Sequence, residues 1–161
     1  ERGGLRLISV IMAAPTMHKR FHETRKLLDY GFANFEKMIV LQPKTEFEAL
    51  NSVKISKGKE KQVTVVTEAG IEMIVPKGTK TEDFTFEAVE AQEDQRVAPI
   101  EKGQVLGKVT VSYTTPAGEK INKEVNLVAA DEVEKANWFV LLFRGIGNFF
   151  KDLWNGIKNL F

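Results

Sequence analysis

The sequence predicts a mainly β protein organised around a small antiparallel β-sandwich domain. From Phe47 onward, short runs of β-branched and aromatic residues recur about every eight to twelve residues, a spacing typical of sandwiches and barrels. Turns rich in glycine and proline separate these runs. A strand and a helix precede the sandwich, and an amphipathic helix follows it. The expected divisions are residues 1–37, 38–131 and 132–161.

The first division reads as one strand followed by one helix. Residues 5–12 (LRLISVIM) are mostly aliphatic and β-branched, which predicts a strand buried on at least one face. Thr16 is positioned to cap a helix predicted from residue 17 to about 35. This pair is typical of the edge of an α/β layer, and it cannot close a core alone. We therefore expect an incomplete α/β domain that continues upstream of Glu1.

The second division is predicted to contain eight or so short strands, among them residues 53–55, 63–67, 71–75, 84–89, 105–113 and 121–128. Gly70 lies between the second and third of these strands and predicts a hairpin there. The turn Thr115-Pro116-Ala117-Gly118 predicts a second hairpin between the last two. Strands joined in this way form a self-contained β domain.

The last segment, residues 138–161, has one apolar and one polar face when it is drawn as a helix. Its apolar run is far shorter than the roughly 20 residues needed to cross a bilayer. An aromatic-rich amphipathic helix with cations on its polar side is typical of the membrane interface, although a core-facing helix would have a similar apolar arc. The predicted membrane-binding residues are Trp138, Phe139, Leu142, Phe143, Ile146, Phe149, Phe150, Leu153, Trp154, Ile157, Leu160 and Phe161, with the cations Arg144, Lys151 and Lys158.

Composition excludes several kinds of site. The chain has 23 basic and 22 acidic residues and a net charge of +1, so no overall field favours nucleic acid as a partner. It has no cysteine, which excludes disulfides, thiolate ligands and a cysteine nucleophile. No motif in the sequence indicates a bound cofactor.

Candidate catalytic and metal-binding residues are few. His18 and His22 have the i, i+4 spacing that could place two imidazoles on one metal, but Lys19 and Arg20 lie between them and no third ligand is evident. Solvated histidines on a helix are the better interpretation, and no metal site is predicted. We expect none of the four serines, Ser9, Ser52, Ser56 and Ser112, to act as a nucleophile.

Three segments together resemble one family. Residues 4–12 (GLRLISVIM) followed by 20–32 (RFHETRKLLDYGF) resemble the last strand and closing helix of the transpeptidase-like domain in D-alanyl-D-alanine carboxypeptidases, the low-molecular-mass penicillin-binding proteins. Residues 98–111 (APIEKGQVLGKVTV) resemble a turn and strand of that family's C-terminal β domain. The amphipathic end resembles the family's membrane anchor. The resemblance covers essentially the whole chain, in family order.

The resemblance implies a serine acyl-enzyme mechanism that removes terminal D-alanine from peptidoglycan pentapeptides. The family's S-x-x-K, S-x-N and K-T-G motifs are expected upstream of Glu1, so we expect residues 1–161 alone to be inactive. By resemblance, Arg20 lies near the end of the cleft that holds the substrate carboxylate. The implied partners are an anionic membrane surface and, through the upstream catalytic domain, a peptidoglycan peptide. The implied location is peripheral, on the extracytoplasmic face of the cell membrane.

Two other interpretations fit the same pattern. The chain could be a non-catalytic β-sandwich that acts as a binding or spacer module and is tethered to a membrane by its amphipathic helix. It could also be a free-standing domain whose last helix packs on its own sheet.

Overall fold

The computed structural model describes residues 1–137. Within them are one α-helix, α1 (Met17–Asn34), and seven strands. The strands are β1 (Phe35–Leu41), β2 (Ser52–Lys54), β3 (Gln62–Thr67), β4 (Ile71–Pro76), β5 (Phe84–Glu90), β6 (Val105–Thr114) and β7 (Lys120–Ala129). Two 3-10 turns lie at Thr81–Asp83 and Glu93–Arg96. The predicted mainly β class is confirmed.

The strands form two sheets. β1 and β4 make an antiparallel pair, and the other five strands have the order β2-β3-β7-β6-β5. The chain divides into two compact units. Unit 1 comprises Glu1–Pro43, Ala69–Glu87 and Thr110–Val125, and unit 2 comprises Lys44–Glu68, Ala88–Val109 and the described residues from Asn126. β5, β6 and β7 each contribute residues to both units.

The core of unit 1 follows from alternation along its strands. In β4, Ile71, Met73 and Val75 are buried and the residues between them are exposed, because successive side chains of a strand point to opposite faces. Phe84 and Tyr113 pack with ring centroids 5.2 Å apart. The buried apolar residues of unit 1 are Leu5, Ile71, Met73, Val75, Phe84, Val111, Tyr113 and Val125.

The core of unit 2 is larger and almost entirely aliphatic. Its buried apolar residues are Val53, Ile55, Val63, Val65, Ala98, Ile100, Leu106, Val109, Leu127, Val128, Ala129, Val133 and Ala136. In β6 the alternation shifts by one residue around Gly107. A Cβ added there would lie 2.8 Å from the carbonyl oxygen of Val89, so this close approach of two backbones requires glycine.

The predicted helix and one predicted hairpin are present in the structure. The backbone N–H of Lys19 donates to Thr16 Oγ1 at 3.2 Å, which is the expected N-cap of α1. β6 and β7 are neighbours in the sheet, joined by the predicted turn. In that turn the N–H of Gly118 donates to the carbonyl of Thr115 at 2.8 Å, and Gly118 has a φ of 85°.

The hairpin predicted around Gly70 is wrong. β4 pairs with β1, with Met73 opposite Met38, whereas β3 pairs with β2 and β7. A Cβ on Gly70 would lie 3.0 Å from the carbonyl oxygen of Leu41 and 3.2 Å from Pro43 Cδ. Glycine here lets the chain pass close to the end of β1 and does not turn a hairpin.

The strand predicted at residues 5–12 is also wrong as an element of secondary structure. Leu5 forms only an isolated bridge with Arg2, and residues 6–12 belong to no sheet among the described residues. A strand is defined by hydrogen bonds to a neighbouring strand, and residues 1–137 supply none for this segment.

Candidate functional site

Residues 5–12 keep the side-chain alternation of a strand although they lie in no sheet. Leu5, Leu7, Ser9 and Ile11 are buried or half-buried. Ile8, Val10 and Met12 are exposed by 79%, 74% and 84%, and we call these three residues the apolar edge. Exposed apolar side chains at alternate positions are typical of one face of a strand, and a group of them can mark a contact surface.

The half-buried side of this segment faces α1. Leu7 lies so close to Gly31 that a Cβ on Gly31 would approach Leu7 Cδ1 to 2.5 Å. Arg2 also connects to α1, through an ion pair with Asp29 at 3.2 Å and a position 4.8 Å above the Phe32 ring. The segment and the helix are therefore packed together within unit 1.

α1 itself has no buried residue. Its exposed large apolar side chains are Met17, Phe21, Leu27 and Tyr30, each exposed by 50% or more. A surface helix ordinarily buries its apolar stripe against a core. Here the N-terminal half of the stripe, at Met17 and Phe21, is exposed in the described part of the chain.

Arg20 lies in the first turn of α1, directly before Phe21. Its backbone N–H donates to the carbonyl of Thr16 at 3.1 Å, and its own carbonyl accepts from Thr24 Oγ1 at 2.8 Å. Its side chain is exposed. The role near a substrate carboxylate that the resemblance implies for Arg20 stays a prediction.

His18 and His22 are both exposed on α1. Residues 1–137 contain no cluster of three or more histidine, aspartate or glutamate side chains placed to hold a metal ion. Nothing in this region therefore adds the missing third ligand.

The S-x-x-K spacing, expected only upstream, also occurs within the chain, at residues 56–59 (SKGK). These residues lie between β2 and β3. The backbone of Ser56 is held on both sides, since its N–H donates to Arg96 and its carbonyl accepts from Ala98. Lys59 Nζ donates to the Glu134 carboxylate.

The ion pair shifts the pKa values of both of its side chains. The hydrogen bond and charge of Glu134 raise the pKa of Lys59 above 10.5, and Lys59 lowers the pKa of Glu134 below 4.5. A lysine that activates a serine must be neutral near pH 7, and this one is held as a cation. The Lys59 ammonium is thus paired with Glu134 in the structure, and the expectation that Ser56 is not a nucleophile stays a prediction.

Two concave regions of unit 1 complete the candidate surfaces. A cavity of about 450 Å³ is lined by charged groups around the Arg2–Asp29 ion pair. A more apolar groove of about 660 Å³ lies between the end of α1 and the β6–β7 turn. Its apolar lining residues include Tyr30, Ile74, Pro76, Tyr113, Pro116 and Ile121.

The predicted membrane-binding residues, from Trp138 to Phe161, lie outside the described residues. Within residues 1–137, the structure contains no helix with the length and apolarity that a membrane span needs.

Comparison with known proteins gives a consistent result. Residues 35–135 match the family described as penicillin-binding protein 5, C-terminal domain. The chain is 28% identical over 151 residues to D-alanyl-D-alanine carboxypeptidase DacF of Bacillus subtilis, covering 94% of this chain and 36% of that protein. It is 32% identical over 149 residues to DacA of Haemophilus influenzae, covering 88% and 36%. The chain thus spans about a third of the length of the curated relatives it matches.

Solved structures agree with these matches. Penicillin binding protein 5 from Haemophilus influenzae superimposes with a TM-score of 0.58 and 30% identity, over 78% of this chain and 34% of that one. A peptidoglycan synthesis regulatory factor (PBP3) from Streptococcus pneumoniae superimposes with a TM-score of 0.56 over 73% of this chain and 32% of that one. Its identity of 22% supports the fold alone.

Proposed function

Because the chain belongs to the penicillin-binding protein 5 C-terminal domain family, we propose that it is the C-terminal part of a serine-type D-alanyl-D-alanine carboxypeptidase. The proposed reaction removes terminal D-alanine from peptidoglycan pentapeptides. Several relatives carry the name D-alanyl-D-alanine carboxypeptidase, which supports this assignment. The catalytic residues are proposed to lie in a domain upstream of Glu1.

The apolar edge is the observation that carries this proposal. Burying Ile8 and Val10 fully would each contribute about 1.5–3 kcal/mol, so exposing both in a working protein is unfavourable. An upstream sheet would pair with residues 5–12 and cover this edge, and it would give Met17 and Phe21 a surface to pack on. We assign this role to the proposed peptidase domain.

In this proposal Arg20 lies beside the contact with the upstream domain. It precedes Phe21 by one residue, and Phe21 is one of the side chains assigned to contact the upstream domain. An exposed guanidinium beside that contact would add positive potential, which would favour a substrate carboxylate. Arg20 is proposed as a contributor to binding and not as a catalytic residue.

The test compares the whole natural protein that contains this chain with residues 1–161 alone. The whole protein is expected to bind fluorescent penicillin covalently and to release D-alanine, whereas the isolated chain does neither. Ser56→Ala in the whole protein serves as the control and should leave both readouts unchanged, because Lys59 is a cation. Labelling of the isolated chain that depends on Ser56 would contradict the proposal, and so would a whole protein that releases no D-alanine.

We further propose that residues 138–161 attach the protein peripherally to the extracytoplasmic face of the membrane. The support is the sequence pattern: a broad aromatic face, and three cations spaced seven residues apart. Each of these cations is expected to contribute about 1 kcal/mol near an anionic leaflet.

The positions of the tryptophans allow membrane attachment to be measured by fluorescence. The chain has two tryptophans, and both, Trp138 and Trp154, lie in the proposed anchor. Tryptophan fluorescence therefore reports on this segment alone, and it should shift to the blue when vesicles are added. Phe150→Asp is expected to abolish the shift on neutral and anionic vesicles without changing the circular dichroism. An unchanged shift in this variant would argue against insertion.

A second function, as a non-catalytic binding or spacer module, is favoured by one observation. The groove bounded by Tyr30, Tyr113 and Pro116 is apolar, aromatic and concave, as many binding surfaces are. The two functions predict different sequences upstream of Glu1. A reading frame without S-x-x-K and K-T-G before Glu1 would support the module and exclude the peptidase.

A further inference from the structure

The connection between β2 and β3 is rich in lysine. Residues 54–61 read KISKGKEK, and we call this segment the lysine loop. Its cations are Lys54, Lys57, Lys59 and Lys61, and all four side chains are exposed. Lys57 has a φ of 57°, a conformation that glycine adopts with less strain. A charged side chain is therefore present at this exposed position despite its conformational cost.

Hydrogen bonds fix the lysine loop to the end of the described chain. The N–H of Lys59 donates to the carbonyl of Glu134, and the N–H of Ala136 donates to the carbonyl of Lys57, both at 2.8 Å. Between these bonds, Gly58 forms a bridge with Lys135. A Cβ on Gly58 would lie 2.7 Å from Val133 Cγ1, so the two segments are in direct contact. The loop is thus held in place beside residues 133–136.

The contact between the lysine loop and residues 133–136 lies directly before the proposed anchor in the sequence. Only Asn137 separates Ala136 from Trp138, where the proposed anchor begins. The lysine loop is therefore bound to the last residues before the segment that is proposed to enter the membrane. A surface at this point would come near the headgroups whenever the anchor is inserted.

The local charge is positive after the ion pairs are subtracted. Glu134 pairs with Lys59, and Asp131 lies 3.9 Å from Lys102, outside the loop. The remaining charged residues of the loop and of residues 131–137 are Lys54, Lys57, Lys61 and Lys135, against Glu60 and Glu132. This excess of two positive charges includes Lys102 through its ion pair: residues 54–61 alone carry a net charge of +3 and residues 131–137 carry −2, so the two segments together carry +1.

We propose that the lysine loop, together with Lys135, is a second membrane contact that binds anionic lipid headgroups beside the anchor. This inference rests on the proposed attachment through residues 138–161. A phospholipid surface fits better than a nucleic acid or a protein, because the loop is hydrogen-bonded to the chain that leads directly into the anchor. The anchor supplies the apolar contribution, and the folded domain adds an electrostatic one.

The experiment measures partition of residues 1–161 onto phosphatidylcholine vesicles with and without phosphatidylglycerol. The test variant is Lys57→Gln with Lys61→Gln. The matched control is Lys26→Gln with Lys44→Gln, two exposed lysines outside the lysine loop and outside residues 131–137. Both variants lose two charges, so they separate a local contact from an effect of net charge.

The expected result is a loss of affinity for anionic vesicles on the order of 30-fold in the test variant at low salt, from about 1 kcal/mol per lysine near the surface. The control should lose less than about threefold, and neither variant should change binding to neutral vesicles. Added salt should remove the difference, because screening weakens the attraction. Unchanged circular dichroism and melting temperature establish that both variants are folded.

Three outcomes separate the possibilities. Equal losses in the two variants, or no loss in the test variant, would overturn the lysine-loop contact while binding to neutral vesicles still supports the anchor. Absence of binding to any vesicle would overturn both. Lysine-dependent binding to anionic vesicles alone, with no shift in tryptophan fluorescence, would support the contact and argue against insertion of the anchor.

Discussion

Thr67 is a buried polar residue at the end of β3, exposed by only 1%. Both hydrogen-bond partners of its hydroxyl belong to Thr45. The hydroxyl accepts from the N–H of Thr45 at 3.1 Å and donates to the carbonyl of Thr45 at 3.3 Å. The backbone N–H of Thr67 also donates to that carbonyl, at 3.0 Å. The side chain therefore fixes the chain that enters unit 2 to the end of β3.

Replacing Thr67 with valine tests this role. The shape is nearly kept, but the N–H of Thr45 loses an acceptor, so the free energy of unfolding should fall by about 1–3 kcal/mol. Urea denaturation followed by circular dichroism measures the change. Thr64→Val makes the same chemical change on the exposed face of β3 and should stay within about 0.5 kcal/mol. Similar losses in both variants would show that the hydroxyl of Thr67 has no special role.

The ion pair of Lys59 and Glu134 shows what residue patterns cannot predict. The S-x-x-K spacing at residues 56–59 is visible in the sequence, but its lysine is bound by a carboxylate 75 positions away. Because the pKa of Glu134 is lowered, the small contribution of this exposed pair to stability is present above pH 4.5, the usual pKa of the carboxyl, and is lost as the pH falls through the lowered pKa. The partner of the Lys59 ammonium therefore depends on tertiary structure.

At the scale of elements, local signals were reliable and distant pairing was not. The β6–β7 hairpin could be predicted because Thr115 and Gly118 define its turn within four residues. The pairing of β1 with β4 could not, because the signal at Gly70 depends on the position of Leu41, far away in sequence. Residues 5–12 show the same limit, since their alternation is evident but no strand among residues 1–137 pairs with them.

β1 should be essential to unit 1, although the sequence places it at a domain boundary. A chain that begins at Phe35 keeps β1, whereas one that begins at Lys44 removes it and uncovers the β4 edge at Met73. The free energy of unfolding of the shorter chain should be lower by at least about 2 kcal/mol, since apolar side chains at Met38, Val40 and Leu41 are lost. Urea unfolding of the two chains measures the difference. Equal midpoints would mean that β1 contributes little.

At the scale of the whole molecule, the proposed upstream domain predicts that the apolar edge behaves differently in residues 1–161 and in the longer protein. In residues 1–161, Ile8→Lys with Val10→Lys should change the free energy of unfolding by less than about 0.5 kcal/mol per site, because both side chains are exposed. In the whole natural protein the same variant should lose at least about 2 kcal/mol, because two charges would be buried.

Leu5→Lys is the control for this comparison. Leu5 is exposed by only 4% within unit 1, so its replacement should destabilise both forms. Melting temperatures of the six proteins measure the effects. If the double variant is harmless in the whole protein, the apolar edge is not covered by an upstream domain.

The division of unit 1 into three stretches has a consequence for how the protein is made. β1 can pair with β4 only after Ala69–Glu87 has been synthesised. Tyr113, whose ring packs on Phe84, is synthesised later still. A chain growing from its N-terminus therefore cannot close this core until the ribosome has passed Val125. Before Ala69–Glu87 has been synthesised, β1 is an unpaired apolar strand, and this is when the nascent chain would depend most on a chaperone.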